Sequence, residues 1–422
     1  MSQTGTYTGQ GYADRYRLGE GRSSHKDGRE AGSRPERPSA KQEAASTAKP
    51  GQKTFVDRSL IFIVLFLLCF GLIMIYSASS YAAMRQENDS AYFLKSQIRA
   101  TILGLVGMII MSRVNYHLLR KAAWPAYVGS LILILLVLTP LGMTKNGARR
   151  WLNLGLSLQP AEVAKVGMII FFAAYICANM TRIGKMKGMI QTFLWALPPC
   201  AFVYFITDNL STAIIIFGIV YVMMFIASPR SWPYVVAAIV IVLLAVSVVY
   251  AVEHNILPSE LSYRLARIKI WRNPESDAGN KGFQTLQALY SIGSGGFLGK
   301  GLGQSTQKYR HLPEAQNDMI FAIVCEELGI FGALAVMLLF ALLIWHFLHI
   351  ANNAPDLFGS LLVTGVLTHF ALQVVLNIAV VTNLLPNTGI TLPFISYGGS
   401  STLFLLVEIG IVLSVSRSIK LE

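Results

Sequence analysis

The chain has 422 residues, of which 54% are hydrophobic and only 14% charged. A water-soluble domain of that size needs far more charge to cover its surface, and many apolar runs are about as long as a bilayer core is thick, so the apolar excess must face lipid. The net charge of +13 is therefore read as cation-rich loops and head-group contacts, not as a nucleic-acid footprint.

Residues 1–56 are rich in Gly, Ser, Arg, Lys, Glu and Pro, with few large aliphatics. Such a segment buries too little apolar surface to offset its ordering entropy, so a disordered basic cytoplasmic tail is expected. It would either bind a partner or an anionic lipid surface, or simply help to fix topology. The first long apolar run starts near Leu60, behind this tail, so the first span itself is expected to direct insertion, with no cleavable signal peptide.

Apolar spans follow at about 59–79, 97–113, 123–141, 160–180, 190–207, 211–228, 231–252, 318–350, 357–383 and 397–416. They predict an all-α polytopic membrane protein of about ten transmembrane helices spanning residues 57–422, with a large extracytoplasmic loop, 253–317, between helices 7 and 8. The four cysteines, Cys69, Cys177, Cys200 and Cys325, fall inside spans without metal-type spacing and are expected to be buried thiols. When the spans alternate, the tail, Arg113–Arg120–Lys121, Arg182–Lys185–Lys187, Arg230 and Arg417/Lys420 share one side. Basic residues mark the cytoplasmic side, so both termini of a multi-pass membrane protein are expected inside. The segments 142–159, 253–317 and 384–396 then lie outside, where polar loops gathered on one face are expected to build a site.

The first of these segments, Asn146-Gly-Ala-Arg149-Arg150-Trp151 through Gln159-Pro160-Ala-Glu162-Val-Ala-Lys165, places two arginines against the positive-inside trend, so an anionic partner is expected there. Pro160 suits the first turn of a helix, and Glu162 and Lys165 then share a face and can pair. That pair is either structural or an intramembrane functional group. In the long loop, Tyr263-Arg264-Leu-Ala-Arg267-Ile-Lys269-Ile-Trp271-Arg272 suits a helix lying on the membrane surface and meeting phosphates. The glycines between 279 and 303 match no phosphate-binding loop, because Ser294 stands where the first glycine of GxxxxGK[ST] belongs. Close backbone packing or a flexible backbone near a ligand remains.

The loop ends Leu312-Pro-Glu314-Ala-Gln-Asn-Asp318 at the start of a span. Asp318 is either a helix-cap carboxylate or a general base at the mouth of a membrane cavity, and the residue alone does not choose. Glu326 and Glu327, about two turns deeper, must face protein or water. Finally, Leu384-Leu-Pro386 to Leu392-Pro393-Phe-Ile-Ser396-Tyr397-Gly-Gly-Ser400-Ser401 forbids a continuous helix. Its hydroxyls and amides, and a helix starting near Gly398, offer donors to sugar or phosphate oxygens. His369, Gln373 and Asn377, four residues apart, form one helical stripe, for which hydrogen bonding between helices is the favoured account.

Four motifs in this order closely resemble the SEDS family (shape, elongation, division and sporulation), the FtsW/RodA/SpoVE group, and nearest its division and sporulation members. They are Gly-Ala-Arg-Arg-Trp…Gln-Pro-Ala-Glu-Val-Ala-Lys, Gln-Ala-Leu-Tyr-Ser-Ile-Gly-Ser-Gly-Gly…Gly-Lys-Gly-Leu-Gly-Gln-Ser, Leu-Pro-Glu-Ala-Gln-Asn-Asp…Glu-Glu-Leu-Gly and Leu-Pro-Phe-Ile-Ser-Tyr-Gly-Gly-Ser-Ser. The resemblance implies a peptidoglycan glycosyltransferase that polymerises lipid II and releases undecaprenyl diphosphate. It also implies a class B penicillin-binding protein as partner, among divisome or sporulation cell-wall proteins. The family's catalytic aspartate falls on Asp318, and its Arg-Trp and Glu…Lys positions on Arg150, Trp151, Glu162 and Lys165. Two departures stand out: the usual His-Thr before the aspartate is Gln316-Asn317, and the usual Pro-Asp-Leu-Gly-Thr reads Asp208-Asn-Leu-Ser-Thr212.

On this reading Asp318 is the general base of an inverting displacement. Substrate contacts are expected from Arg149, Arg150, Trp151, Glu162, Lys165, Arg264, Lys308, Glu314, Ser396, Tyr397 and Ser400. A divalent cation, Mg or Mn, is an alternative source of positive charge for the leaving diphosphate. The rival readings are a lipid II flippase and a non-catalytic scaffold for a penicillin-binding protein.

Overall fold

The computed structural model describes residues 57–145, 148–153, 157–254, 256, 263–277, 279, 282–309 and 312–419. The expected tail, residues 1–56, and Lys420 lie outside the described residues, as do the side chains of Tyr263 and Arg264.

Among the described residues, nine helices are long and apolar enough to cross a membrane: α1 (Arg58–Glu87), α2 (Tyr92–Arg113), α4 (Pro160–Ala178), α5 (Met186–Ile206), α6 (Leu210–Ala227), α7 (Trp232–Glu253), α10 (Ile320–Asn353), α11 (Leu357–Val381) and α12 (Gly399–Ser416). A shorter apolar helix, α3 (Ala123–Leu135), continues through a 3₁₀ turn to Leu138 and takes the tenth place. Their starts follow local chemistry. The Asp57 carboxylate accepts from the Leu60 amide at the head of α1, and Asp356 does the same for Gly359 at the head of α11. Pro160 occupies the first turn of α4, where its missing N–H costs nothing.

Burial ranks the helices. In α4, 78% of the spanning window is buried inside the protein, against 6% for α7, so α4, α11 and α12 form the centre while α7 lies at the rim facing lipid. The cysteines are free thiols, but only Cys325 is buried; Cys69 is exposed on the apolar surface of α1, and Cys177 and Cys200 are half-buried. In a bilayer an apolar outer face is satisfied by lipid, so the span positions did not require burial.

One end of the bundle carries the extra structure and is called the loop face below. The segment 142–159, expected as an outer polar loop, carries a small antiparallel sheet, β1 (Gly142–Lys145), β2 (Ala148–Asn153) and β3 (Ser157–Leu158), in the order β1-β2-β3. The long loop holds α8 (Tyr263–Arg272), where a surface helix was expected, and α9 (Phe283–Gly295).

The glycine-rich segment after α9 resolves as close backbone packing. Helix α10 is broken at Gly329, whose φ is 67°, and the segment fills the break. Lys300 and Gly301 donate their amides to the carbonyls of Glu326 and Glu327 at 2.9 Å, and Ile330 donates to Gly296 at 3.0 Å. A Cβ at Gly299 would lie 2.2 Å from the Glu327 carbonyl oxygen, so only glycine fits that crossing.

Candidate active site

Asp318 lies on the loop face, two residues before α10, and is 9% exposed. Its Oδ1 has no hydrogen-bond partner among the described residues. Burial pushes its carboxyl up to about 7, and the Glu314 carboxylate pushes the same way, against the lowering effect of the amides of residues 318 and 319. The carboxylate is therefore not consumed as a helix cap. It is a buried, poised acid–base group with an acceptor oxygen to spare.

Two segments hold it. The first is its own approach, in which Asn317 donates its side-chain amide to Glu314 and its backbone N–H to the Glu314 carbonyl at 2.9 Å. Asn317, one of the two departures from His-Thr, thus holds Glu314. The second is the broken turn between α11 and α12. Tyr397 donates its amide to the Gln316 carbonyl at 2.8 Å, and Asn377 donates to the Asp318 carbonyl at 2.8 Å and the Ile390 carbonyl at 2.6 Å. Gly389, with φ 64°, walls the carboxylate: a Cβ there would sit 3.7 Å from Asp318 Oδ2.

The stripe on α11 organises this neighbourhood. Gln373 donates to the Thr391 carbonyl at 3.0 Å and accepts from Lys165 at 3.4 Å, while Lys165 pairs with Glu162 at 3.0 Å. Lys165 and Glu162 are 2% and 6% exposed, so the expected pair forms, buried, and reaches the turn beside Asp318 through Gln373. Glu162 Oε2 has no partner among the described residues. Deeper, His369 pairs with Glu408 of α12 at 2.8 Å. Helix-to-helix bonding, the favoured account of the stripe, holds for His369 with Glu408 and for Gln373 with Lys165, whereas Asn377 bonds to carbonyls outside the helices; Glu408 is a member that sequence reasoning missed.

The remaining expected contacts fall elsewhere or are engaged internally. The Arg149 guanidinium donates to the Thr139 carbonyl, and Arg150 donates to the Thr207 and Asp208 carbonyls at 2.9 and 2.7 Å. Thr139 follows the turn that ends α3, and Thr207 caps α5. Helix C-terminal carbonyls thus supply the negative partner expected for these arginines. Trp151 sits in β2 opposite Met143. Arg264 lies in α8, with its side chain outside the described residues. Lys308 is buried against Glu327 at 3.1 Å and is not brought to Asp318. The Ser396 hydroxyl accepts from the Leu392 amide at 2.7 Å, and Tyr397 donates its hydroxyl to Ser96 at 3.3 Å. Helix α12 does begin at Gly399, but the Gly398 amide is taken by Gln97 Oε1 at 3.1 Å and is not offered to an anion. Ser400 stands half-buried in the first turn of α12. Asn209, in the displaced acidic element, caps α6 by accepting from the Thr212 amide at 3.1 Å.

Among the described residues, no group of three or more His, Cys, Asp or Glu side chains is placed to hold a metal ion. The open Oδ1 of Asp318 and the Glu314 carboxylate, close enough to act on it electrostatically, are the oxygen-donor type that a hydrated Mg or Mn takes one or two of, with water and phosphate as its other ligands.

Fold and site together define an all-α polytopic membrane protein with one poised carboxylate set into its loop face. The chain belongs to the FtsW/RodA/SpoVE family, whose model, described as "Cell cycle protein", matches residues 58–421. It is 39% identical to stage V sporulation protein E of Bacillus subtilis over 87% of this chain and 98% of that protein. It is 38% identical to the probable peptidoglycan glycosyltransferase FtsW of Trichlorobacter lovleyi over 88% of this chain and 96% of that protein. Among solved structures it resembles a chain from "Structural coordination of polymerization and crosslinking by a peptidoglycan synthase complex", with TM-score 0.70, 28% identity, and 87% and 99% of the two chains covered. It also resembles rod shape determining protein RodA of Thermus thermophilus, with TM-score 0.61, 26% identity, and 87% and 98% covered.

Proposed function

We propose that the chain polymerises lipid II into glycan strands at its loop face, with Asp318 as the general base. The family and its relatives make it a peptidoglycan glycosyltransferase; the assignment of chemistry to residues is what we add. The observation that carries it is the buried Asp318 carboxylate with an unpartnered Oδ1.

A β-linked polymer from an α-linked diphosphate donor requires inversion. Asp318 removes the proton from the 4-hydroxyl of the acceptor sugar as that oxygen attacks the anomeric carbon of the donor. The bond from that carbon to the diphosphate oxygen breaks, and undecaprenyl diphosphate leaves with the electron pair. The leaving group needs charge stabilisation more than a proton, and Lys165, held toward the same turn by Gln373, is the buried cation best placed to contribute. A divalent cation held by Glu314 and Asp318 would supply Lewis-acid charge to the same diphosphate.

The basic end of the bundle is assigned to the cytoplasm, with both termini inside and the loop face outside. Arg417 donating to the Ser112 carbonyl at the end of α2 supports this, since it gathers basic residues of two helix ends at the pole opposite Asp318. The likeness to a chain from a complex coupling polymerization and crosslinking supports a crosslinking partner, assigned to a class B penicillin-binding protein working in division or sporulation.

Purified Asp318→Ala, given lipid II, is expected to elongate glycan about a hundred- to ten-thousand-fold more slowly than wild type. Wild-type polymerisation by this variant would overturn the assignment. A scaffold, by contrast, would keep its function with every outer polar residue replaced.

A further inference from the structure

Asn377 stands two turns beyond His369 on α11 and is 1% exposed. Its carboxamide nitrogen carries two hydrogens and donates to two carbonyls remote in sequence, Asp318 at 2.8 Å and Ile390 at 2.6 Å. The first is the backbone of the proposed base. The second belongs to the residue after Gly389, the wall against which Asp318 Oδ2 rests. One side chain therefore brackets both sides of the carboxylate. A second tie, the Tyr397 amide to the Gln316 carbonyl at 2.8 Å, joins the same two segments two residues away and leaves the Asp318 backbone itself to Asn377.

We infer that Asn377 is a positioning residue for glycosyl transfer, fixing the Asp318 carboxylate by tying its backbone to the turn between α11 and α12. The inference rests on Asp318 acting as the base. Proton transfer needs the base within roughly 2.6–3.2 Å of the hydroxyl oxygen, and a misplacement of about 1 Å costs on the order of a hundredfold in rate. Only one backbone-to-side-chain step separates the bracketed carbonyl from the carboxylate, so a shift of the carbonyl passes directly to the reacting atoms. Neither an aspartate nor an alanine at 377 replaces the two donors. An aspartate would also set a carboxylate against two carbonyl oxygens. Asn377 Oδ1 itself lacks a partner among the described residues, so the side chain is retained for its donors.

The test compares Asn377→Ala, Asn377→Ser and Asp318→Ala in the full-length purified protein, reading kcat and KM for lipid II together with thermal unfolding. Tyr127→Phe is the control. It removes a half-buried hydrogen bond to the Trp195 carbonyl, 2.9 Å long, away from the loop face. We expect Asn377→Ala to lose about ten- to a hundredfold in kcat with KM within about threefold, and Tyr127→Phe to lose stability while keeping kcat. A merely structural Asn377 would lower the unfolding temperature and leave kcat per folded molecule unchanged, which overturns the inference. If Asn377→Ala fails to fold, Asn377→Ser, which keeps one donor, decides: a kcat lowered about tenfold supports positioning and a wild-type kcat overturns it. Wild-type activity in Asp318→Ala sinks the parent reading, whereas an inactive Asp318→Ala beside a normal Asn377→Ala sinks only this one.

Discussion

Breaking the buried pair between Lys308 and Glu327 should cost stability and leave lipid II recognition alone. Glu327 is fully buried, and its carboxylate accepts from Ser77 Oγ at 2.7 and 2.8 Å, the Gly303 amide at 2.9 Å, the Ser305 amide at 3.3 Å and Lys308 at 3.1 Å. Glu327→Ala removes the acceptor from all of these donors and strands an ammonium whose side chain is 4% exposed. Removing one partner of a buried pair typically costs about 3–5 kcal/mol. The low end applies here, because Lys308 keeps the Gly303 carbonyl and the Ser77 hydroxyl as acceptors. Lys308→Met should cost less than Glu327→Ala, since three donors still hold the carboxylate. The double variant Lys308→Met/Glu327→Ala should fall short of the summed single losses by roughly 0.5–3 kcal/mol, the range for groups in contact. Denaturant titration in mixed micelles measures the cycle, and KM for lipid II is read on the folded fraction. A Lys308→Met protein of undiminished stability with a KM raised tenfold would refute this reasoning and place the lysine on the diphosphate.

Because the base form of Asp318 is the ionised one, and burial with the Glu314 charge holds its carboxyl up to about 7, kcat/KM should fall as pH drops through that value, with unit slope below it, and plateau above. A profile flat from pH 5 to 8 would contradict a base of that strength. For topology, cysteine placed at exposed Ser276 before α9 should react with a membrane-impermeant maleimide on intact spheroplasts, and cysteine at exposed Lys187 in the first turn of α5 should react only after permeabilisation; the reverse pattern would invert the assigned orientation.

What the sequence makes legible here is whatever rests on spacing along one element. Apolar runs of bilayer length yield the ten helices because lipid demands length and apolarity, and nothing subtler. The four-residue spacing of His369, Gln373 and Asn377 reveals a shared face. What each member touches, namely Glu408, Lys165 with Thr391, and the Asp318 and Ile390 carbonyls, depends on how helices cross, which one strand of letters does not carry. The same limit explains the arginines and Lys308. A cation outside the positive-inside pattern demands negative partners, and the sequence points to a ligand because it cannot display the other supply: carbonyls at the ends of α3 and α5 for Arg149 and Arg150, a carboxylate in the broken α10 for Lys308. Asp318 is the informative contrast. It sits among the same kinds of groups, yet the neighbouring side-chain donors go to Glu314 and to carbonyls, and its Oδ1 is left without one. The fold satisfies Arg149, Arg150, Lys308, Ser396 and the Gly398 amide within itself. It also leaves Glu162 Oε2 and Glu408 Oε1 open, but those carboxylates are paired with Lys165 and His369. Asp318, by contrast, forms no ion pair among the described residues and bears a desolvation cost that a structural cap would not require. That unbalanced atom, more than any motif, is the reason to look for the acceptor sugar at Asp318.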